Sequence, residues 1–340
     1  MGVASAQSTV TLSGGVVFGV GGTKYGTTNS GLQTARSTGN LAFSGTEDLG
    51  GGLKASFRVE TSIGATGASQ VGGTGATSLG DRGMFLTLAG GFGTVLVGTA
   101  PSAIRANMGA VGNVTRLNPL YGLSGASAAQ SASGVVSAAT ATDATARVIY
   151  GDAYSQQIAY ESPDLSGFRF TLGVAPVEGD TSTTGDTKSM GLNYAAGPLM
   201  VRFNVTDVKE TVAVSGSFAT GTGYKLNTLT ASYDLGVARV GVTHQTIDMA
   251  SGTDPAAGTA LTVHIPMGAG QFGLGYGRKG ASAATNTTRV GADDVKQYFV
   301  GYRHDLSKRT FLELTTMKLD RSGGNTTDIK QTHVLIGHTF

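Results

Sequence analysis

The feature that most constrains this chain is an alternation of apolar and polar residues with period two, repeated in segment after segment. Val10, Leu12, Val16, Phe18 and Val20 share one parity, while Thr9, Thr11, Ser13 and Gly15 sit on the other or between. Leu53, Ala55, Phe57 and Val59 alternate with Lys54, Ser56, Arg58 and Glu60. Phe168, Phe170, Leu172 and Val174 alternate with Arg169, Thr171 and Gly173, and Leu199, Val201, Phe203 and Val205 with Met200, Arg202, Asn204 and Thr206. Tyr298, Val300 and Tyr302 continue the pattern, and Val334, Ile336, His338 and Phe340 close the chain with it. Side chains of a strand point alternately to its two faces, so each segment has one apolar and one polar or small face.

Sixteen such segments can be placed, near 8–20, 36–48, 53–63, 82–90, 92–100, 153–162, 167–176, 187–196, 198–208, 224–234, 236–248, 260–267, 270–280, 292–304, 309–319 and 331–340. Most run nine to thirteen residues. Strands of water-soluble domains favour about 5–6 residues, whereas a tilted strand needs roughly 9–11 to cross a bilayer. Composition agrees. Only 14% of residues are charged, against about 25% in ordinary globular chains, yet no window holds the ~18 consecutive apolar residues of a membrane helix. The pattern predicts an all-β chain whose strands show one face to lipid and the other to water.

The connections alternate as well. Short ones fall at 49–52, 90–91, 163–166, 197, 235, 267–269 and 305–308. Long ones fall at 21–35, 64–81, 101–152, 177–186, 209–223, 249–259, 281–291 and 320–330. Tight turns at one end and long loops at the other define an antiparallel up-and-down transmembrane barrel. Both chain ends lie on the short-turn side, so the first and last strands can pair. Closure removes the open edges whose backbone groups would go unsatisfied in lipid. Phe43, Phe92, Tyr160, Phe168, Tyr194, Tyr233, Phe272, Tyr302, Phe311 and Phe340 all lie within a few residues of a short turn or the C-terminus. That gathering predicts an aromatic girdle at one membrane interface.

Several function classes find no support. The chain has no cysteine, which excludes disulfides, thiolate metal sites and a cysteine nucleophile. A net charge of +2 is too balanced for a nucleic-acid footprint. Gly273, Gly275 and Gly277 lie within a strand pattern with no helix after them, which is the wrong setting for a dinucleotide. His244, His264, His304, His333 and His338 lack zinc-ligand spacing. No catalytic constellation emerges, so the chain reads as neither an enzyme nor a cofactor or metal protein. At the start, Ala4-Ser5-Ala6 has the small-x-small form of a signal-peptidase site. Residues 1–6 read as the end of an export signal behind a start methionine, and 7–340 as a single barrel.

The inward parity of the strands places Arg36, Lys54, Arg58, Arg169, Arg202, Arg239 and Arg303 in the lumen. On the lipid face near mid-bilayer an arginine would cost about 2–4 kcal/mol. Each could contact solute or instead hold a structural ion pair, with Glu60 and Glu313 as candidate partners. Together they suggest a basic lumen, in which fixed charge in a narrow mouth concentrates ions of opposite sign.

Longer matches then become specific. The run Asn40-Leu-Ala-Phe-Ser-Gly-Thr-Glu-Asp-Leu-Gly-Gly-Gly-Leu-Lys-Ala-Ser-Phe-Arg-Val-Glu60 resembles the strand–turn–strand hallmark of Gram-negative general porins, in the neisserial and beta-proteobacterial branch. Leu88–Gly98 resembles that family's next hairpin, Tyr160–Phe168 its turn after the third loop, and Gly301–Thr310 a late turn. The terminal His338-Thr-Phe340 resembles its C-terminal signature. The resemblance implies a sixteen-stranded outer-membrane barrel, a homotrimer, and passive diffusion of small hydrophilic solutes. It implies that Phe340 is read by the barrel-assembly machinery, and that the barrel meets outer-membrane lipid and lipopolysaccharide. It also implies that connection 101–152 folds into the lumen as an eyelet, carrying Arg105, Arg116, Asp143, Arg147 and Asp152. Arg82 matches a basic residue the family carries at the start of its fourth strand. Asn40, Thr99 and Ala153 stand where wall arginines are usual in the family, and Gly337 where a basic residue is common. The expectation is therefore a water-filled channel of weak to moderate anion preference, lined by these positions. The alternatives are a channel preferring small organic anions or neutral solutes, and a plugged structural or adhesive barrel.

Overall fold

The computed structural model describes residues 9–29, 31–63, 79–80, 82–101, 154–176, 186–209, 223–250, 256–280, 294–322 and 328–340. Residues 1–6, connection 102–152 with Arg105, Arg116, Asp143, Arg147 and Asp152, and Ala153 lie outside them.

The described chain is all β. The strands are β1 (Thr9–Tyr25), β2 (Thr28–Asn29), β3 (Gln33–Gly50), β4 (Leu53–Ser62), β5 (Gly83–Gly90) and β6 (Gly93–Pro101). Then follow β7 (Tyr154–Glu161), β8 (Phe168–Ala175), β9 (Thr187–Ala196), β10 (Leu199–Val208), β11 (Tyr224–Asp234) and β12 (Arg239–Met249). The last are β13 (Gly258–Met267), β14 (Gly270–Lys279), β15 (Asp294–Asp305), β16 (Thr310–Ser322) and β17 (Ile329–Thr339). β2 is a two-residue piece on the rim, and the other sixteen strands make the wall. Each pairs antiparallel with its chain neighbours, and β1 pairs with β17 from Gly15↔Thr339 to Tyr25↔Ile329. The sheet is thus a closed barrel with no free edge. The last residue completes the seam: Gly14 N–H donates to the Phe340 carbonyl at 3.0 Å and Phe340 N–H to that of Gly14 at 3.1 Å.

The faces separate as the alternation predicts. Leu12, Phe18, Leu86, Val97, Leu172, Leu192, Leu261, Val300, Leu314 and Ile336 point outward and are exposed. Apolar exposure on this scale, all round one surface, requires a non-aqueous surrounding. Inward positions are polar or small, with Asn204, Thr228, Thr230, Thr243, Gln245, Thr262, His264, Gln271, Gln297 and Gln331 among the buried ones.

The turns are built by residues that tolerate unusual backbone. Gly50, Gly51 and Gly52 have φ of 83°, 62° and 82°, a region costly for side chains with a Cβ. Asp48 locks this turn by accepting the Gly50 N–H at 2.9 Å.

Two sequence expectations change. The first connection is not 21–35, because β1 continues to Tyr25 and β3 begins at Gln33. Gly21 and Thr23 interrupt the apolar rhythm, but both are inward and buried, where small and polar residues belong. Phe311 does not join the girdle. It faces inward at 1% exposure, packed with Val17 and Leu335. The other nine girdle residues lie on the outer face. Phe168 packs tilted beside Tyr194 (centroids 4.4 Å apart) and Phe272 beside Tyr302 (4.7 Å).

Candidate functional site: the lumen wall

The inner wall is asymmetric. On β10–β17 the inward rows are largely withdrawn from solvent, with Thr228, Thr230 and Thr243 at 1% exposure and Ala260, Lys279 and Gln297 at 0%. On β3–β9 inward side chains remain open, including Arg58 at 35%, Glu161 at 46% and Arg169 at 49%. Among the described residues, exposed inward charge is therefore concentrated on β3–β9.

The principal cluster on this wall centres on Glu60. Arg58 and Glu60 both face inward because they are two residues apart on β4. Arg82 enters from the residue before β5, held by its own N–H on the Glu60 carbonyl at 3.1 Å. The Glu60 carboxylate accepts from Arg58 Nη2 at 2.7 Å and Nε at 3.1 Å, and from Arg82 Nε at 3.0 Å. Asn40, on β3, donates its amide to the same carboxylate at 2.9 Å. One carboxylate is thus shared by two guanidinium groups and an amide, and the cluster keeps one positive charge. Charge-assisted bonds of this kind are short and directional, so the arginines are fixed in the wall.

Elsewhere three of the inward arginines are matched. Arg169 lies 3.3 Å from Glu161 and 3.5 Å from Asp164. Arg239 lies 3.0 Å from Asp234. Arg303 lies 2.7 Å from Asp305 and 3.7 Å from Glu313, and its guanidinium sits 3.8 Å over the Phe311 ring. These groups line the short-turn end with paired charge. Lys54 also faces inward there, opposite Asp48 in the ladder. Arg202 is inward on β10, with Asn193 between it and Arg169 on one ladder row. The two partners suggested by the sequence, Glu60 and Glu313, both meet arginine, Glu313 across the β15–β16 pairing.

Two predicted positions stand differently. Thr99 pairs with Met84 and Gln156. Met84 is 54% exposed among the outward apolar residues, so Thr99 belongs to the outer row and not to the lumen. Alignment by motif alone gave the position but not the face, and one residue of register reverses the face. Arg36 stands in β3 opposite Phe18, just past a register shift at Val17/Phe18; its side chain lies outside the described residues. Gly337, where the resemblance implies a basic residue, is inward beneath Phe311. A Cβ there would collide with that ring. Sequence reading missed Asn40 and Glu60 as one unit. The signal that could have joined them is their shared parity across the 51–52 turn.

A closed sixteen-stranded barrel with an apolar exterior, a girdle of aromatics and a polar, charge-lined lumen defines a transmembrane diffusion channel. The chain belongs to the Gram-negative porin family, whose model matches residues 2–324. It is 30% identical over 327 residues to outer membrane porin protein 32 of Delftia acidovorans, covering 92% of this chain and 84% of that one. Among solved structures it resembles the anion-selective porin from Comamonas acidovorans, with a TM-score of 0.71, 22% identity, and 98% and 100% of the two chains covered. It also resembles the trimer form of OmpT of Vibrio cholerae, with a TM-score of 0.61, 12% identity, and 98% and 99% covered. The protein is an integral outer-membrane porin, a channel and not an enzyme.

Proposed function

We propose that this porin passes small hydrophilic solutes and ions with a weak to moderate preference for anions. The observation that carries this is the Arg58–Glu60–Arg82 cluster, one net positive charge on the open wall. Arg169, Arg239 and Arg303 contribute little field, since each is neutralised within 4 Å. Asn40 in place of a usual family arginine removes a further charge from the same spot. The selectivity is accordingly below that of a fully basic eyelet. The similar porin from Comamonas acidovorans is anion-selective, which supports the sign.

The assignments of 101–152 as a loop narrowing the lumen and of residues 1–6 as the remnant of an export signal belong to this proposal, and rest on the resemblance and on sequence pattern. So does recognition of Phe340 by the assembly machinery. Phe340 is outward and 42% exposed, with its backbone closing the seam. Homotrimerisation is supported by the trimeric OmpT relative and by the outer surface. Outward tyrosines occur at Tyr160, Tyr194, Tyr233, Tyr276, Tyr298 and Tyr302, on β7–β15. Among the described side chains none faces outward on the arc β16–β17–β1–β3–β6. An arc without interfacial tyrosines suits a subunit contact better than lipid. The remaining outer surface meets outer-membrane lipid and lipopolysaccharide.

The test is the zero-current potential of the purified protein in a planar bilayer under a tenfold potassium chloride gradient. A modest potential of anion-selective sign is expected. A cation-selective potential would overturn the proposal.

A further inference from the structure

We propose that Arg58, Arg82 and Asn40 form a recognition site for a carboxylate group, and that Glu60 fills it as a tethered occupant. Glu60 is then the residue that keeps carboxylate-bearing solutes from binding this part of the wall, and its removal opens a site for small organic carboxylates. This rests on the anion preference proposed above and names the residue that keeps that preference general.

The geometry is that of a carboxylate receptor. An ionised carboxylate offers about four acceptor positions on its two oxygens. On Glu60, Oε2 accepts from Arg58 Nη2 at 2.7 Å and Nε at 3.1 Å. Oε1 accepts from Arg82 Nε at 3.0 Å and Asn40 Nδ2 at 2.9 Å. Each position is therefore used, and charge-assisted bonds of this length are about twice as strong as neutral ones. The sheet fixes the backbones that carry these donors. Asn40 stands opposite Ser62, Arg58 stands between Ser44 and Phe85, and the Arg82 N–H is held by the Glu60 carbonyl at 3.1 Å. None of these backbone positions depends on the Glu60 side chain, so the donors stay in place when it is removed.

Cutting Glu60 back to alanine deletes Cγ and the carboxyl group, which together have the outline of an acetate ion. The space is reached from the lumen, since the Glu60 side chain keeps 13% exposure and those of Arg58 and Arg82 keep 35% and 24%. Without the carboxylate, two like-charged guanidinium groups and an amide donor converge on one spot. An anion of matching shape relieves the repulsion and takes up the free donors at once. Glu161, on the same wall, shows the contrast. It meets Arg169 at 3.3 Å and is 46% exposed, a surface pair of the kind that contributes little.

The experiment measures zero-current potential under a potassium chloride gradient, with potassium acetate added equally to both sides. Glu60→Ala should raise the anion-to-cation ratio about fourfold through the loss of one charge. Acetate should return that ratio to within about twofold of wild type, with half the effect in the millimolar range expected of so small a ligand. Nitrate should not do so, nor should pivalate, whose branched carbon is too wide for the space of one methylene and a carboxyl. Acetate should leave the wild type, Glu60→Gln (whose amide fills the space) and Glu161→Ala unmoved. A second measurement is the refolded yield of Glu60→Ala, read by heat-modified mobility, which acetate should raise over nitrate. Restoration by nitrate or pivalate as strong as by acetate would reduce the effect to the field of the wall and overturn the proposal. So would a Glu60→Ala protein indifferent to acetate in both measurements, or an equal response of Glu161→Ala. A wild type without anion preference would defeat the proposed selectivity, and the carboxylate site would still stand or fall on the acetate response.

Discussion

Replacing Glu60 with glutamine is the sharpest probe of how this lumen selects ions. The substitution keeps the side-chain shape and one acceptor for Arg58, Arg82 or Asn40, and removes one negative charge from the centre of the cluster. The net charge at that spot rises from one to two. An ion passing about 6 Å away in bulk-like water feels about 0.7 kcal/mol per unit charge, by Coulomb's law with the dielectric constant of water. Screening at about 0.1 M salt, with a Debye length near 10 Å, reduces this to about 0.4 kcal/mol. An anion gains that amount and a cation loses it, so the anion-to-cation ratio rises about fourfold with screening and about tenfold without it.

The assay is the zero-current potential at two salt concentrations. Glu60→Gln should move it toward the chloride equilibrium potential, and more strongly at low salt. Two guanidinium groups also lose their shared counter-charge. A local cost of about 1–2 kcal/mol is expected, readable as a lower temperature for the shift from folded to unfolded mobility. An unchanged potential with folded protein would show that Arg58 and Arg82 do not face the conducting path. That result would refute the reading of β3–β9 as the open wall.

Other outcomes follow from the same geometry. Arg58→Gln leaves Glu60 and Arg82 as a neutral pair, and should lower the anion preference by a similar factor in the same assay. Asn40→Arg places a new charge beside Glu60 and should raise anion selectivity. Thr99→Arg should leave selectivity unchanged, yet lower resistance to urea by up to about 2–4 kcal/mol because its side chain faces outward. Gly337→Arg, which restores a residue common in the family, must displace the Phe311 ring. It should reduce folded yield by an overpacking cost of about 1–3 kcal/mol, measured by heat-modified mobility. Liposomes carrying the wild type should swell in neutral sugars; failure to swell with folded protein would favour the plugged-barrel alternative.

The number of wall strands and their faces were legible in the sequence, because alternation is a local property fixed by backbone geometry. Val10, Leu12 and Phe18 declare the outer face of β1 without reference to any other strand. Strand ends were less legible at the rims, where Gly21 and Thr23 have no apolar partner to mark the rhythm. The girdle was nearly right, and its one error, Phe311, follows from parity. Leu312 and Leu314 take the outward positions, which turns Phe311 inward against Val17 and Leu335.

What the sequence by itself determined is therefore the barrel, its up-and-down order and the inward parity of Arg58, Arg169, Arg202, Arg239 and Arg303. What only the tertiary structure decided is how those charges are shared. Arg58 and Arg82 are 24 positions apart and converge on Glu60 because β4 and β5 pair in one particular register. Asn40 joins them across the β3–β4 pairing, where it stands opposite Ser62. Thr99 faces outward for the same kind of reason, and Lys24, Lys318 and Lys330 meet only because the chain's two ends close into one seam. Electrostatics depends on distance between groups, and long-range register sets those distances. A residue's own neighbours in sequence carry no record of it.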